Sequence, residues 1–247
     1  MLFGIRQSYK KTQRSCRGYG YKIKTLTTIL IVIDFTLLYL EKINVKVIID
    51  YDSSLFNIDI AGPPPRVGAV LVSEPFLHDE YFRHSVISLV EYAPDGTSMG
   101  IVLNHPTDFF LQELVPAVRV GRPIEVRCGG PLSDDRLYYI HTLAGVIPGS
   151  RAITPGMFIG GDFDAVVDYI NAGYPIDGSI LFFLGYSGWS PGQLDEEVAN
   201  RVWAVAPATD PTELMHTPSA SMWHSQVRHL GSKYRGWLYH PRIPLSN

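Results

Sequence analysis

Gly185-Tyr-Ser-Gly-Trp189 differs by one residue from the G-x-S-x-G pattern that presents a nucleophilic serine between a strand and a helix. It follows an apolar run, Ile180 to Leu184, and precedes a helical one, as that chemistry requires. The last position is Trp189, however, and a bulky residue fits poorly into so strained a turn, so Ser187 is not expected to carry an acyl group. The structural alternative is that Ser187 or Ser190 caps the helix, Trp189 packs with Trp203, and Gln193, Glu196 and Glu197 meet the positive helix end. The start of that helix, with Trp189 and Gln193, is nonetheless a candidate anion site.

Four further segments carry residues of chemical interest. Asp79, Arg83 and His84 share the polar stretch Leu77–His84, where a guanidinium beside a carboxylate suits phosphate or carboxylate binding; the alternative is an i,i+4 pair between Asp79 and Arg83 that steadies one helical turn. Asn104 and His105 stand at a strand end ahead of Pro106, a common place for ligands, although Asn104 also suits a plain turn. Arg127-Cys-Gly-Gly-Pro131 offers Gly129 and Gly130 as a backbone nest and Cys128 as a thiol beside a positive charge; a tight turn with a buried cysteine is the simpler reading. His141, after another strand, is a candidate general base that lacks a visible nucleophile.

Metal chemistry is not indicated. There is no H-E-x-x-H, no cysteine pair, and His78 and His84 have no established ligand spacing. No cofactor fingerprint is present and none is expected. Cys16 and Cys128 could form at most one bridge, which favours a reducing compartment.

The chain divides by composition. Residues 1–60 contain neither Ala nor Pro, while all 18 prolines follow. Residues 1–50 hold nine Lys/Arg against three acids, a net +6, and residues 51–247 hold twelve against twenty-one, a net −9. The first 60 residues are expected to be a basic and apolar extension outside the fold, and residues 61–247 one domain. The apolar run at 25–40 is short for a membrane span and contains Asp34, and no small-x-small cleavage signal follows Leu40, so an anchor at residues 1–45 or an export signal is the lesser reading and the cytosol the expected location. A body at −9 is a poor direct ligand for DNA or RNA.

Within the body, Gly68–Ser73, Ser85–Tyr92, Met99–Leu103, Ile124–Cys128, Leu137–His141 and Ser179–Leu184 read as strands. Phe109–Val115, capped from Thr107 or Asp108, Asp162–Ala172, Pro191–Arg201 and Ser219–Leu230 read as helices. Strands and helices mix without βαβ alternation. The expectation is an α+β domain, a mixed and largely antiparallel sheet with flanking helices.

Six blocks in this order resemble the AlgH/YqgE family of bacterial proteins: Gly68-Ala-Val-Leu-Val-Ser-Glu-Pro75 with Asp79 and Arg83, Gly100-x-x-Leu-Asn-x-Pro106, Gly129-Gly-Pro131, Ile140-His-Thr142, Gly160-Gly-Asp162, and Phe183-Leu-Gly-Tyr-Ser-Gly-Trp-Ser-Pro-Gly-Gln-Leu194. The C-terminal stretch is similar to the Bacteroidetes-type branch. The resemblance implies a mixed α/β fold, a cytosolic protein and no established activity, with a label of transcriptional regulator taken from one branch. The expected function is a non-enzymatic regulatory protein that binds a small anionic ligand or a protein partner through Asp79, Arg83, Asn104, Gly129, Gly130, His141, Trp189 and Gln193. The alternatives are a hydrolase of a small phosphorylated or acylated compound with His141 as base, and a DNA-binding regulator. A chain beginning at Ala61 should fold and melt at the temperature of the full chain; a much lower melting temperature on calorimetry would show that the extension belongs to the fold.

Overall fold

The computed structural model describes residues 62–239 apart from 78, 80 and 207–209. The expected boundary at residue 60 and the apolar run at 25–40 lie outside the described residues. Ten strands form one sheet: β1 (Val70–Ser73), β2 (Val86–Glu91), β3 (Ser98–Val102), β4 (Pro106–Phe110), β5 (Glu125–Cys128), β6 (Leu132–His141), β7 (Arg151–Thr154), β8 (Met157–Ile159), β9 (Ile180–Trp189) and β10 (Trp203–Ala206). The path runs β10-β1-β2-β3-β9-β6-β8-β7, with β5 beside β9 and β4 beside β5. Every pairing is antiparallel except β5 with β9. This is the mixed, largely antiparallel α+β fold expected.

Five helices flank it: α1 (Leu111–Leu114), α2 (Phe163–Asn171), α3 (Gln193–Ala199), α4 (Pro211–His216) and α5 (Ser219–His229), followed by a 3-10 segment, Ser232–Tyr239. Helix α2 is built as its sequence dictates, with the Asp162 carboxylate accepting from Asp164 N at 2.9 Å and Val166, Val167 and Ile170 turned into the core. Helix α5 lies on β1 and β2. Its Trp223 is fully buried and donates through Nε1 to Ser73 O at 3.0 Å.

Strand β9 is longer than the apolar run Ser179–Leu184 that announced it. It continues through Gly185-Tyr-Ser-Gly-Trp189 because it changes partner: residues Phe182 to Leu184 pair with β5, and residues Ser187 to Trp189 pair with β3. Two apolar cores follow from that division. Ile180, Phe182 and Leu184 pack with Val126, Tyr139 and Ile170 under α2. Trp189 packs with Leu71, Ile87, Leu89, Trp203 and Leu194 under α3.

The partner change occurs where three glycines meet. Gly129 N donates to Leu184 O at 2.7 Å, Val102 N donates to Gly129 O at 2.9 Å, and Gly185 takes a φ of +73°. A side chain on Gly129 would strike Gly185 O, and one on Gly130 would strike the backbone of Tyr186. The glycines are a backbone-on-backbone crossing, where only hydrogen fits.

Several elements differ from the sequence reading for local reasons. The helix expected over Phe109–Val115 begins only at Leu111, because Pro106 to Phe110 pairs with β5 as an edge strand, where a proline N–H is not needed. Its cap is Phe110, not Thr107 or Asp108. The helix expected over Pro191–Arg201 starts at Gln193 with Gly192 at the cap position, so neither Ser187 nor Ser190 caps it. Strands β4, β7, β8 and β10 and helix α4 were not legible as elements; each is only three to six residues long.

Alanine at Gly185 would bring its Cβ within 2.5 Å of Gly130 O and 2.9 Å of Leu132 O at a left-handed φ. Gly185→Ala should therefore lower the unfolding free energy in urea by about 3 kcal/mol or more, from strain and overpacking together. Gly121→Ala, whose added carbon meets nothing within 4 Å, should stay within about 0.5 kcal/mol of wild type.

Candidate functional site

The residues singled out by type fall into separate hydrogen-bond networks rather than one cluster. Asp79 is exposed, and its Oδ1 accepts from Tyr81 N at 2.8 Å and Phe82 N at 3.1 Å. That cap replaces the expected ion pair, since Asp79 and Arg83 form none. Asn104 is buried and bridges two strand ends, with Oδ1 accepting from Val86 N at 2.8 Å and Nδ2 donating to His84 O at 2.8 Å. Gly129 and Gly130 are filled by the crossing with Gly185 and hold no open nest.

Ser187 is fully buried within β9, and its hydroxyl donates to Gly129 O at 3.3 Å. No strand-to-helix turn presents it. The Trp189 and Trp203 indoles both donate to Glu197 Oε2, at 2.8 and 2.7 Å, and Gln193 Nε2 donates to Glu197 Oε1 at 2.8 Å. Glu197 is thus an acceptor for two buried rings, and charge-assisted bonds of this kind are worth roughly 1.5–3 kcal/mol each. The Tyr92 hydroxyl donates to Asp195 on the same helix at 2.8 Å, and burial with that carboxylate pushes its pKa up to about 12. Trp189 and Gln193 belong to this clamp of α3 onto the sheet.

His141 is fully buried and both ring nitrogens are engaged. Leu143 N donates to Nδ1 at 3.1 Å, which leaves Nε2 as the protonated nitrogen, 3.0 Å from Gly160 O and 3.0 Å from Ser150 Oγ. The Ser150 hydroxyl donates its own hydrogen to Ile147 O at 2.7 Å. In this tautomer the lone pair that a general base needs is already taken. A second serine–histidine contact, Ser85 Oγ to His105 Nε2 at 3.1 Å, was not anticipated from sequence; Ser85 is fully buried and also donates to Tyr81 O.

The cleft lies elsewhere. A cavity of about 360 Å³ opens beside β5 and β9, closed by the C-terminal end of α4. Alternation along β5 turns Val126 into the α2 core and leaves Glu125 and Arg127 on the opposite face. Arg127 lines the cavity at 8% exposure, and Nη1 donates to Leu103 O at 2.7 Å. No ion pair forms with it among the described residues. Burial pulls its pKa below the ordinary arginine value, with Glu125 opposing, yet a guanidinium stays charged at neutral pH. At the mouth, Arg122 forks onto Asp177 at 2.6 and 2.9 Å and holds that carboxyl below its usual range. The His216 ring lies against Gly178, where a side chain would overlap it.

Arg127 entered the sequence reading only as a neighbour of Cys128, and Arg122, Glu125 and His216 not at all. The available signal was Glu125-Val-Arg127, two charges alternating with an apolar residue inside a strand expected to be buried. Among the described residues no group of His, Cys, Asp and Glu is arranged to hold a metal ion. Nor is any helix there long and apolar enough to cross a membrane.

The His141 network has a pH signature. Burial lowers its pKa below the ordinary 6.5, and the bond to Gly160 O only partly opposes this; His224 is lowered as well, by burial and then by Arg228. The unfolded chain takes up a proton near pH 6.5 that the folded one refuses, so stability holds above that pH and falls as pH drops toward the folded value. Stability measured by urea unfolding should therefore fall as pH is lowered below about 6.5, the buried His141 contributing more than the part-exposed His224. His141→Gln should flatten part of that slope, and an unchanged slope would remove His141 as a source.

The chain is similar to known proteins over most of this body. A family model described as AlgH-like matches residues 70–235. A UPF0301 protein of Bacteroides fragilis is 39% identical over 196 residues, covering 79% of this chain and 98% of the relative. One from Bacteroides thetaiotaomicron is 38% identical with the same coverage. Among solved structures, a protein of Corynebacterium diphtheriae superposes with a TM-score of 0.61 at 24% identity, over 72% of this chain and 94% of its own. The solution structure of the AlgH protein of Pseudomonas aeruginosa gives 0.55 at 26% identity, over 70% and 94%. With the family model spanning most of the domain and relatives of this identity matched almost end to end, the chain belongs to the AlgH-like family.

Proposed function

We propose that this AlgH-like protein is a non-enzymatic, cytosolic binding protein whose ligand is a small organic anion held in the Arg127 cleft. Any influence on gene expression runs through that ligand or a protein partner, since a body at −9 disfavours direct contact with DNA. The observation that carries the reading is Arg127 itself. A charge taken largely out of water costs several kcal/mol, and one backbone carbonyl with the Glu125 carboxylate on the same strand face offsets part of that. A largely buried guanidinium that makes one side-chain hydrogen bond and faces a cavity of about 360 Å³, at the small end of ligand sites, suits a carboxylate or phosphate. A hydrolytic role is less well supported: Ser85, Ser150 and Ser187 do not line the cleft, and the hydrogens of Ser150 and Ser187 are directed at backbone carbonyls.

Thermal unfolding tests this with acetate, pentanoate and phosphate, each against chloride at equal ionic strength. A ligand at a hundred times its Kd adds about 2.7 kcal/mol, a rise of roughly 5–10 °C for a domain of this size. Arg127→Met should abolish the rise, and Arg127→Lys, which keeps the charge but not the fork, should reduce it. Equal shifts in wild type and both variants, or none in wild type, would retire the reading.

A further inference from the structure

The two charges that β5 presents on one face differ in setting. Arg127 is buried at the cavity wall, whereas Glu125, two residues earlier, is exposed at the same cavity and makes no ion pair. Residues two apart on a strand face stand roughly 6.6 Å apart. The other cation at the mouth, Arg122, is held by Asp177 through both its terminal nitrogens. The cleft therefore offers one guanidinium inside and one carboxylate outside that attract each other without a close ion pair, with a second carboxylate already held by Arg122 at the rim.

That charge pattern discriminates among anions. A phosphate dianion seated on Arg127 would gain one guanidinium and stand on the same strand face as Glu125, whose like charge repels it. A ligand with a carboxylate at one end and an ammonium at the other satisfies both groups of β5 at once. Ile180 and Met215, both buried at the cavity wall, offer contact to a short methylene chain between the two ends.

We propose that the cleft takes a small linear aminocarboxylate, its carboxylate on the Arg127 fork and its ammonium on Glu125. The assignment rests on the anion reading above and deepens it. A chain of four or five carbons is the probe of choice, since it separates its two charges further than glycine can and is comparable to the strand spacing of the two residues.

Titration calorimetry of the full chain with 5-aminopentanoate, pentanoate, glycine and inorganic phosphate separates the two claims. Wild type should bind 5-aminopentanoate roughly two- to fivefold more tightly than pentanoate, the worth of one added ion pair at an exposed carboxylate. Glycine and phosphate should be weaker than 5-aminopentanoate. Glu125→Gln, at an exposed position where folding is not at risk, should erase the preference, with pentanoate binding at least as tightly as in wild type because a like charge is removed; Arg127→Lys should weaken both ligands. If pentanoate or phosphate matches 5-aminopentanoate, or if the preference survives Glu125→Gln, the aminocarboxylate assignment is wrong while anion binding stands. If none of the four binds, both are wrong.

Discussion

The fold depends on one steric constraint, the passage of two backbones past each other with no side chain between them. Gly129 and Gly130 on one side and Gly185 on the other let β9 leave β5 and join β3 without a break in the strand. Either half of the sheet could be built with ordinary residues. Joining them could not, because a methyl group at Gly129 or Gly130 would occupy the position of a peptide on β9. The two apolar cores, one under α2 and one under α3, are rigidly related because a single strand runs through both.

The buried polar side chains mostly serve the same end. Asn104 bridges the start of β2 and the segment after β3, His141 ties the end of β6 to Gly160 and Leu143, and Glu197 gathers two indoles and a glutamine beneath α3. Each sits in a network whose donors and acceptors are matched, as burial demands. Arg127 is different. Its guanidinium makes one side-chain hydrogen bond, to Leu103 O, at a cavity wall, and the charge acting on it is Glu125 on the same strand face.

The sequence was most legible where one residue's chemistry decides the local structure. Asp162 capping α2, the apolar periodicity at Val166, Val167 and Ile170, and the continuous apolar run entering β9 all appear as read. The Gly-Gly-Pro turn was legible as a turn but not as a crossing, because its partner Gly185 lies more than fifty residues away and looked like part of a catalytic motif. Elements of three to six residues such as β8 and β10 have too few positions for a period to emerge and are stabilised by neighbours distant in sequence. The residues singled out by type do not line the cavity beside β5 for a related reason. Reactive types such as Ser187 and His141 attract notice by identity, whereas Arg127 and Glu125 stand out only through burial and cavity geometry, which the order of residues does not express.

The bond from Arg127 to Leu103 joins the cleft to the far side of the sheet. Leu103 is followed by Asn104, whose amide holds the His84 carbonyl, and the His84 ring stacks on Trp223 of α5 at 4.1 Å between centroids. A contiguous run of bonded and packed groups thus leads from the cleft wall to the buried Trp223, so the residue that lines the cavity and the helix that covers β1 and β2 share one framework.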